Sequence, residues 1–270
     1  MTETPVTPET AEASERFPAL TDPSTWFGGA QRALFVHAHP DDETLTTGGT
    51  IAGLAAAGRA PAVLTLTRGE RGEVVAGPLA ELAGTPALAE HRVGELAAAL
   101  AALGVGWHAF LGEGEALAEG ASARRYEDSG MRWGADGRAE AAGDAPEAAL
   151  TRAATFPALG DVIAAVVASE ATCIVSYDDG GGYGHPDHVT AHRLASAVAA
   201  GLDLPFWSIQ DPEAPALGAL AHDVTPWAGP LRAALAAHAT QLTVTGDDIV
   251  HSGGQRQPIS ATEYFLRAGR

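Results

Sequence analysis

The stretch ALFVHAHPDDETL, residues 33–45, begins as an apolar run and then turns abruptly polar. Its first four residues, Ala33–Val36, are typical of a strand that is buried on both faces. The next seven positions hold two histidines, two aspartates and a glutamate. Neighbouring aspartates repel each other, so this crowding indicates a cation that offsets their charge. The stretch therefore predicts a buried strand that ends in a functional loop.

Apolar runs and helical segments alternate along the rest of the chain. The runs at 62–67, 107–111, 172–177 and 205–209 are predicted as strands, and helices are predicted over 47–57, 86–103, 159–168, 188–200 and 230–242. This alternation indicates an α/β fold: a Rossmann-like, mostly parallel sheet with helices on both faces. Ligands bind such sheets at the carboxyl ends of the strands, where we expect the active site.

Polar loops follow the predicted strands and should meet at one edge of the sheet. HAHPDDE (37–43) follows the first strand, RGERGE (68–73) follows the second, and DDGGGYGHPDH (178–188) follows the fourth. The third strand leads into residues 112–155, a long excursion rich in Gly, Ala and charged residues. The sequence leaves the role of this excursion open.

Composition and charge exclude several classes of partner. The net charge of −18 argues against nucleic acid and against an anionic membrane, because both attract basic surfaces. No apolar run approaches the length of a membrane span. Cys173 is the only cysteine, which is compatible with a reducing compartment, and we predict a cytoplasmic protein.

The chain is predicted to hold one domain preceded by an extension. Residues 1–28 are rich in Pro, Thr and Glu and lack periodicity, so we predict a disordered N-terminal extension. The first residues also lack the basic and apolar regions of a signal peptide. Residues 29–270 are predicted to form a single domain with a sizeable core.

Two of the polar loops pair histidine with aspartate at close spacing, as HPDDE (39–43) and HPDH (185–188). Two imidazoles and one carboxylate form the three-ligand set of hydrolytic zinc sites, which keep one position open for water. We predict His39, Asp42 and His188 as the ligands. Zinc is the expected ion, although ferrous iron suits the same set.

The remaining polar groups of these loops suit hydrolysis at a carbonyl group. Asp41 lies next to a predicted ligand and can act as the general base. His185 can stabilise or protonate a tetrahedral intermediate, and Asp187 can orient its imidazole. Tyr183 lies in a glycine-rich stretch and can direct its hydroxyl at a carbonyl oxygen.

Simpler interpretations of the same motifs compete with this one. Asp41, Asp42 and Glu43 could cap the N-terminus of a helix, and Asp42 could both cap and ligate. His37 alternates with His39 on an extended segment, so it should face away from the site. The run GGGYG lacks the spacing of a phosphate-binding loop, which disfavours a nucleotide-binding protein.

The motifs also resemble those of a known family. AHPDDE (38–43) with GHPDH (184–188) resembles the zinc-dependent N-deacetylases of the PIG-L/LmbE-like family. Further segments resemble its mycothiol-pathway branch, which deacetylates N-acetylglucosaminyl-inositol: GERGEV (69–74), EHRVGELAAALAALGV (90–105), EDSGM (127–131), GGYGHPDH (181–188) and LAAHATQ (235–241). The resemblance is dense over residues 33–195 and thin afterwards.

The resemblance implies the same metal ligands, base and transition-state stabilisers as the residues themselves suggest. It also implies sugar or inositol contacts from Arg92 and Asp128, with Glu73 nearby. Arg92 can bind vicinal hydroxyls with two nitrogens, and Asp128 can accept from two sugar hydroxyls. The expected partner is a small N-acetylated amino sugar, and a homo-oligomer is left open.

Three other functions fit the same residues. A mycothiol S-conjugate amidase would cleave a larger amide, and a related enzyme could deacetylate another N-acetylated sugar. A metal-dependent sugar-binding protein is the non-enzymatic alternative. The intact Asp41 argues against that alternative, because binding alone needs no base.

Overall fold

The computed structural model describes residues 17–269. Its strands are β1 (Ala19–Leu20), β2 (Ala33–His37), β3 (Ala62–Thr65), β4 (Trp107–Phe110), β5 (Met131–Trp133), β6 (Ala139–Ala141), β7 (Cys173–Ser176), β8 (Phe206–Gln210), β9 (Leu220–Asp223), β10 (Leu242–Thr245), β11 (Asp248–His251), β12 (Arg256–Pro258) and β13 (Thr262–Arg267). Its α-helices are α1 (Asp42–Ala56), α2 (Ala87–Leu103), α3 (Thr155–Ala168), α4 (Pro186–Gly201) and α5 (Ala228–Ala237). Within 17–269, no helix combines the length and the apolar character needed to cross a bilayer.

An eight-stranded sheet forms the centre of the fold, in the order β1-β9-β13-β8-β7-β2-β3-β4. The five strands β8, β7, β2, β3 and β4 are parallel neighbours. β13 runs antiparallel to both β8 and β9, while β1 pairs in parallel with β9. The predicted α/β fold with a mostly parallel sheet is confirmed.

The alternation of side chains along β2 divides the core into two layers. Leu34 and Val36 pack on one face, together with Val162 of α3 and Leu194 of α4. Phe35 lies on the opposite face, in the cluster to which α1 and α2 contribute. Both faces of the central strands are thus covered by helices, as the continuous apolar run of β2 predicts.

The first helix after β2 begins earlier than predicted. α1 begins at Asp42 rather than at Thr47, because carboxylates in the first turn interact favourably with the positive end of the helix dipole. Asp41 occupies the N-cap position, but its side chain makes no capping hydrogen bond. The capping interpretation therefore does not account for the Asp41 carboxylate.

Part of the predicted N-terminal extension belongs to the folded domain. Residues 1–16 lie outside the described residues, but 17–28 contribute β1 and a short 3-10 helix, Pro23–Gly28. Trp26 is fully buried, and its ring stacks on that of His222 at a centroid distance of 4.2 Å. Two buried aromatic residues, Trp26 and Phe27, thus anchor a segment whose overall composition is polar.

The C-terminal third contains more strands than predicted. The predicted helix 230–242 is shorter, as α5, and is followed by the small antiparallel sheet β10-β11-β12. Leu231 and Leu235 of α5 pack with Leu242 and Ile249 of this sheet. These strands are short and mostly polar, so hydrophobic periodicity gives little sign of them.

Candidate metal centre and its surroundings

The loops after β2 and β7 meet because the two strands are adjacent and parallel. The first loop and the start of α1 supply His39 and Asp42, and the start of α4 supplies His185, Asp187 and His188. All five side chains are buried. The prediction that the polar loops meet at the carboxyl edge of the sheet is confirmed.

One carboxylate oxygen, Asp42 Oδ2, joins the two predicted histidine ligands. It lies 3.2 Å from His39 Nδ1 and 3.3 Å from His188 Nε2. It also accepts hydrogen bonds from the His39 backbone N–H, at 2.9 Å, and from the Tyr177 hydroxyl, at 2.7 Å. The structure therefore brings the three predicted ligands together.

Two overlapping sets of side chains among residues 17–269 place ligand atoms within 4.8 Å of one another. The first set is His39, His185 and His188; the second is His39, Asp128, His185 and Asp187. Asp42 is in neither set, although its Oδ2 contacts two of the histidines. The buried His188 Nε2 meets Asp42 Oδ2 at 3.3 Å without the geometry of a hydrogen bond. A buried nitrogen whose nearest polar atom is a carboxylate oxygen fits a divalent metal ion.

The electrostatics around His39 show that the cluster favours positive charge. Burial lowers the pKa of His39, but the carboxylates of Asp128, Asp187 and Asp42 outweigh burial and raise it well above its usual value. Nε2 lies 3.2 Å from Asp187 Oδ2 and 3.7 Å from Asp128 Oδ1. A cation at this place would relieve the repulsion among the three carboxylates.

The backbone and side chain of Asp41 are both held in place. Asp41 adopts a φ of 113°, a strained value for a residue other than glycine. Its backbone N–H donates to Glu43 Oε2 at 3.0 Å, and its Oδ2 lies 3.3 Å from Arg92 Nη2. Burial raises the pKa of the Asp41 carboxyl to about 6, a larger effect than the lowering by Arg92. A carboxylate with a pKa close to neutral pH suits a general base.

Arg92 lies beneath Asp41 rather than in the open cleft. Its side chain is 3% exposed, and Nη1 donates to the Gly69 carbonyl at 2.8 Å. Nη2 donates to the Pro40 carbonyl. Gly69 adopts a φ of 63°, and a Cβ there would collide with the Arg92 guanidinium, so a larger residue would displace Arg92. In these contacts Arg92 positions Asp41; the predicted sugar contact stays a prediction.

The predicted pairing of Asp187 with His185 takes a different form. The carboxylate of Asp187 accepts from the Ser129 hydroxyl, at 2.5 Å, and faces His39 Nε2. Only its backbone N–H reaches His185, donating to Nδ1 at 3.1 Å. This correction arises because Asp187 lies in the first turn of α4, where its backbone N–H points toward the side chain of the N-cap residue, His185.

The hydrogen bond at Nδ1 fixes the tautomer of His185. An Nδ1 that accepts a hydrogen bond leaves the proton on Nε2 in the neutral ring. Burial and then the neighbouring His39 and His188 lower the pKa of His185 to about 3. His185 is therefore a neutral donor at pH 7, which suits stabilisation of a carbonyl oxygen more than delivery of a proton from an imidazolium.

The predicted substrate contacts divide into two groups. Asp128 is buried near His39, and it accepts from the backbone N–H groups of Arg71, at 3.1 Å, and Gly130, at 2.8 Å. Glu73 is exposed and accepts from the Ser252 hydroxyl at 2.9 Å. The described contacts bring Asp128 into the cluster but do not bring Glu73 there.

Tyr183 stands at the open rim of the cluster. Its side chain is 47% exposed, and its ring centroid lies 5.1 Å from that of His188 and 6.1 Å from that of His185. The ring of Trp133 lies on it at 5.8 Å. The position of Tyr183 beside both histidines suits its predicted contact with a substrate carbonyl.

Comparison with known proteins identifies the family. A family model described as "PIG-L: GlcNAc-PI de-N-acetylase" matches residues 34–199. A protein of Saccharomonospora viridis named 1D-myo-inositol 2-acetamido-2-deoxy-alpha-D-glucopyranoside deacetylase is 35% identical to this chain, over 87% of this chain and 94% of its own length. The chain belongs to the PIG-L family. The resemblance found in the sequence is thereby confirmed.

A second relative in sequence matches over a shorter span, and one solved structure matches in fold. A Nocardioides protein with the same name is 44% identical over 63% of this chain. The match spans about half of that relative's own length, 54%. A crystal structure of a deacetylase–teicoplanin complex from the teicoplanin biosynthesis pathway aligns with a TM-score of 0.58 and 19% identity, over 88% of this chain and all of that one. At that identity the likeness shows the shared fold and no more.

Several residues of this PIG-L site were not found from the sequence. Tyr177, Ser129 and His238 contact the cluster through partners that are distant in sequence. His238 Nε2 lies 3.0 Å from Glu43 Oε1, on the carboxylate that holds the Asp41 backbone. The segments EDSGM and LAAHATQ contain two of these residues, so the motifs marked the region without showing the contacts.

Proposed function

We propose that this protein is a metal-dependent N-deacetylase that hydrolyses the acetamide of N-acetylglucosaminyl-inositol, a step of mycothiol biosynthesis. One observation carries the proposal: a strained, half-buried Asp41 with a raised pKa lies next to a His/Asp cluster that fits a divalent metal. The names of the relatives support the inositol conjugate as substrate. A cluster that only bound a sugar would not need Asp41 in a costly backbone conformation.

The metal ligands we propose are His39, Asp42 and His188, with zinc as the ion and ferrous iron as the alternative. When bound, such an ion supplies Lewis-acid polarisation of a carbonyl and lowers the pKa of a water molecule to roughly 7. The Tyr177 hydroxyl holds Asp42 Oδ2 at 2.7 Å, and Asp187 and Asp128 surround the far nitrogen of His39. These partners orient the ligands.

The proposed reaction uses Asp41 for proton transfer and uses Tyr183 and His185 as hydrogen-bond donors. Asp41 takes a proton from the attacking water as the water oxygen bonds to the acetamide carbon. Tyr183 and the neutral His185 donate hydrogen bonds to the carbonyl oxygen as its negative charge develops. The C–N bond then breaks, and protonated Asp41 returns the proton to the leaving amine, which yields acetate and a free amino sugar.

The proposal also includes a setting for the enzyme. We place it in the cytoplasm, which the buried, unpaired Cys173 supports. We propose that residues 29–270, with the segment 17–28 packed on them, form one domain. The proposal leaves open whether the protein forms a homo-oligomer.

The first experiment measures primary-amine release from N-acetylglucosaminyl-inositol by the metal-loaded protein, with N-acetylglucosamine and a mycothiol S-conjugate run in parallel. We expect the fastest release from the inositol conjugate. Release from the S-conjugate alone would replace the deacetylase with an amidase. A lack of amine release from all three substrates would contradict the proposed activity.

The Asp41→Asn variant tests the role of the base in the same assay. We expect it to keep its metal and to lose about 10²–10⁴-fold in kcat, the usual contribution of general-base catalysis. Asp203→Asn is the matched control, because Asp203 is exposed and its φ of 53° is one that asparagine tolerates. An Asp41→Asn protein with the turnover of this control would show that Asp41 is not the base.

A further inference from the structure

An exposed aromatic pair stands at the rim of the metal cluster. Trp133 is 56% exposed and Tyr183 is 47% exposed. Their ring centroids lie 5.8 Å apart with an angle of 37° between the planes. Exposing this much aromatic surface costs free energy, and such surface next to a polar cleft is a common mark of a binding site. Tyr183 has a proposed role, but Trp133 has none so far.

The segment that carries Trp133 is tied to the loop that carries Tyr183. Trp133 ends strand β5 of the β5–β6 hairpin, which belongs to the long excursion of residues 112–155. The Ala139 backbone N–H donates to the Tyr183 carbonyl at 3.0 Å, and Arg138 Nη2 donates to the Gly182 carbonyl at 3.2 Å. Hydrogen bonds therefore join the segments that carry the two rings.

The close approach of the two segments depends on glycine at position 184. Gly184 adopts a φ of 99°, and a Cβ there would lie 3.1 Å from the Ala139 carbonyl oxygen. Across the hairpin, Arg132 and Glu140 form an ion pair at 2.7 Å. The β5–β6 hairpin within the excursion thus places Trp133 against Tyr183.

The distance of each ring from the cluster decides what it can touch. Tyr183 contacts the rings of His188 and His185, whereas the described ring contact of Trp133 is with Tyr183. A substrate whose acetamide reached the cluster would therefore pass Tyr183 first. A ring further from the acetamide would then approach Trp133.

We propose that Trp133, supported by Tyr183, binds the ring attached to the amino sugar and so selects conjugates over the free N-acetylated sugar. This inference rests on the proposed deacetylase function. The ligand is a cyclic polyol or a second sugar, whose C–H groups form an apolar face that packs on the indole. The indole N–H can also donate to one of its hydroxyls.

Kinetics with two substrates test the inference. We expect Trp133→Ala to lower kcat/KM for N-acetylglucosaminyl-inositol by about tenfold, mainly through KM, because one aromatic contact is lost. The same variant should act on N-acetylglucosamine within about twofold of the wild type, as for most surface changes. Trp133→Phe keeps an aromatic face and should recover most of the loss. Phe156→Ala removes a still more exposed aromatic, 86% accessible, from α3 and is the control.

Two results would overturn the inference. An equal loss on both substrates would mean that Trp133 only supports the loop of Tyr183. Unchanged kinetics on both would mean that Trp133 touches no substrate.

A binding measurement separates this inference from the proposed function. Titration with the product, glucosaminyl-inositol, should quench indole fluorescence in the wild type and much less in Trp133→Phe. Equal quenching in both proteins would contradict a contact at Trp133, whether or not the wild type shows turnover. Amine release by the wild type tests the proposed function independently.

Discussion

At the scale of single residues, the hydroxyl of Tyr177 connects the backbone before the metal cluster to the cluster itself. It accepts from the Ala38 N–H at 2.9 Å and donates to Asp42 Oδ2 at 2.7 Å. Its ring stacks on that of His188 at a centroid distance of 4.0 Å. Tyr177 therefore positions two of the three proposed ligands without occupying a ligand place itself.

We expect Tyr177→Phe to weaken metal affinity by about 10–100-fold, the usual effect of removing a group that orients a ligand. Competition with a chelator measures this loss. Tyr126→Phe is the matched control, because the Tyr126 hydroxyl donates to the buried Asp161 carboxylate at 2.7 Å. Both variants lose a tyrosine–aspartate hydrogen bond, so equal metal affinity in the two would show that Tyr177 acts on stability alone.

The residues that sequence predicts are those that a short motif brings together. His39 and Asp42 share one loop, and His185 and His188 share another, so spacing and chemistry are enough to mark them. Tyr177 was missed because its partner lies 135 residues away. Such distant residues become hydrogen-bond partners because their strands are neighbours in the sheet. A single sequence does not give the order of the strands.

At the scale of elements, close packing of α1 depends on its glycines. A Cβ on Gly49 would lie 2.4 Å from Val224 Cβ, and one on Gly53 would lie 2.6 Å from the Trp26 ring. Helix propensity disfavours glycine at both positions. At these two positions, the close packing of α1 against its neighbours therefore matters more than the low helix propensity of glycine.

Two glycine-to-alanine variants test this balance. We expect Gly49→Ala to destabilise the protein by about 1–3 kcal/mol through overpacking. Gly94→Ala in α2 is its control: that glycine is exposed, and nothing lies within 4 Å of an added Cβ. Gly94→Ala should stabilise by up to about 1 kcal/mol through propensity. Equal changes in the denaturant midpoint of the two variants would contradict the packing argument.

The elements found from sequence are those with strong periodicity. The central parallel strands and α2 match their predicted positions closely, because each has a long apolar pattern bounded by glycine or proline. β1, β9 and β13 were missed, since each is short or polar on one face. Tertiary pairing, rather than local preference, makes these segments strands.

At the scale of the whole molecule, Glu263 of β13 joins the sheet to α1. Its Oε1 accepts from the Gly49 N–H at 2.8 Å, and its Oε2 accepts from the Thr50 N–H at 2.9 Å. Burial raises the pKa of Glu263 from 4.5 to about 7, although the bonds from Thr50 and Gly49 lower it. The folded protein therefore binds this proton more tightly than the unfolded chain.

The sign of the resulting pH dependence follows from linkage. Because the folded pKa exceeds the unfolded one, the contribution of Glu263 to stability is greatest below pH 4.5 and is lost as pH rises toward 7. We expect Glu263→Gln, which carries no titrating proton, to lose less stability between pH 5 and about pH 8 than the wild type. Denaturant melts of both metal-loaded proteins at the two pH values measure the difference. Parallel losses in the two proteins would contradict a raised pKa at Glu263.

The place of β13 within the sheet makes it the link between two groups of strands. β13 lies between β8 and β9 and pairs with both, so β1 and β9 reach the parallel strands only through it. Detaching β13 would therefore separate three of the eight strands from the parallel block in a single step.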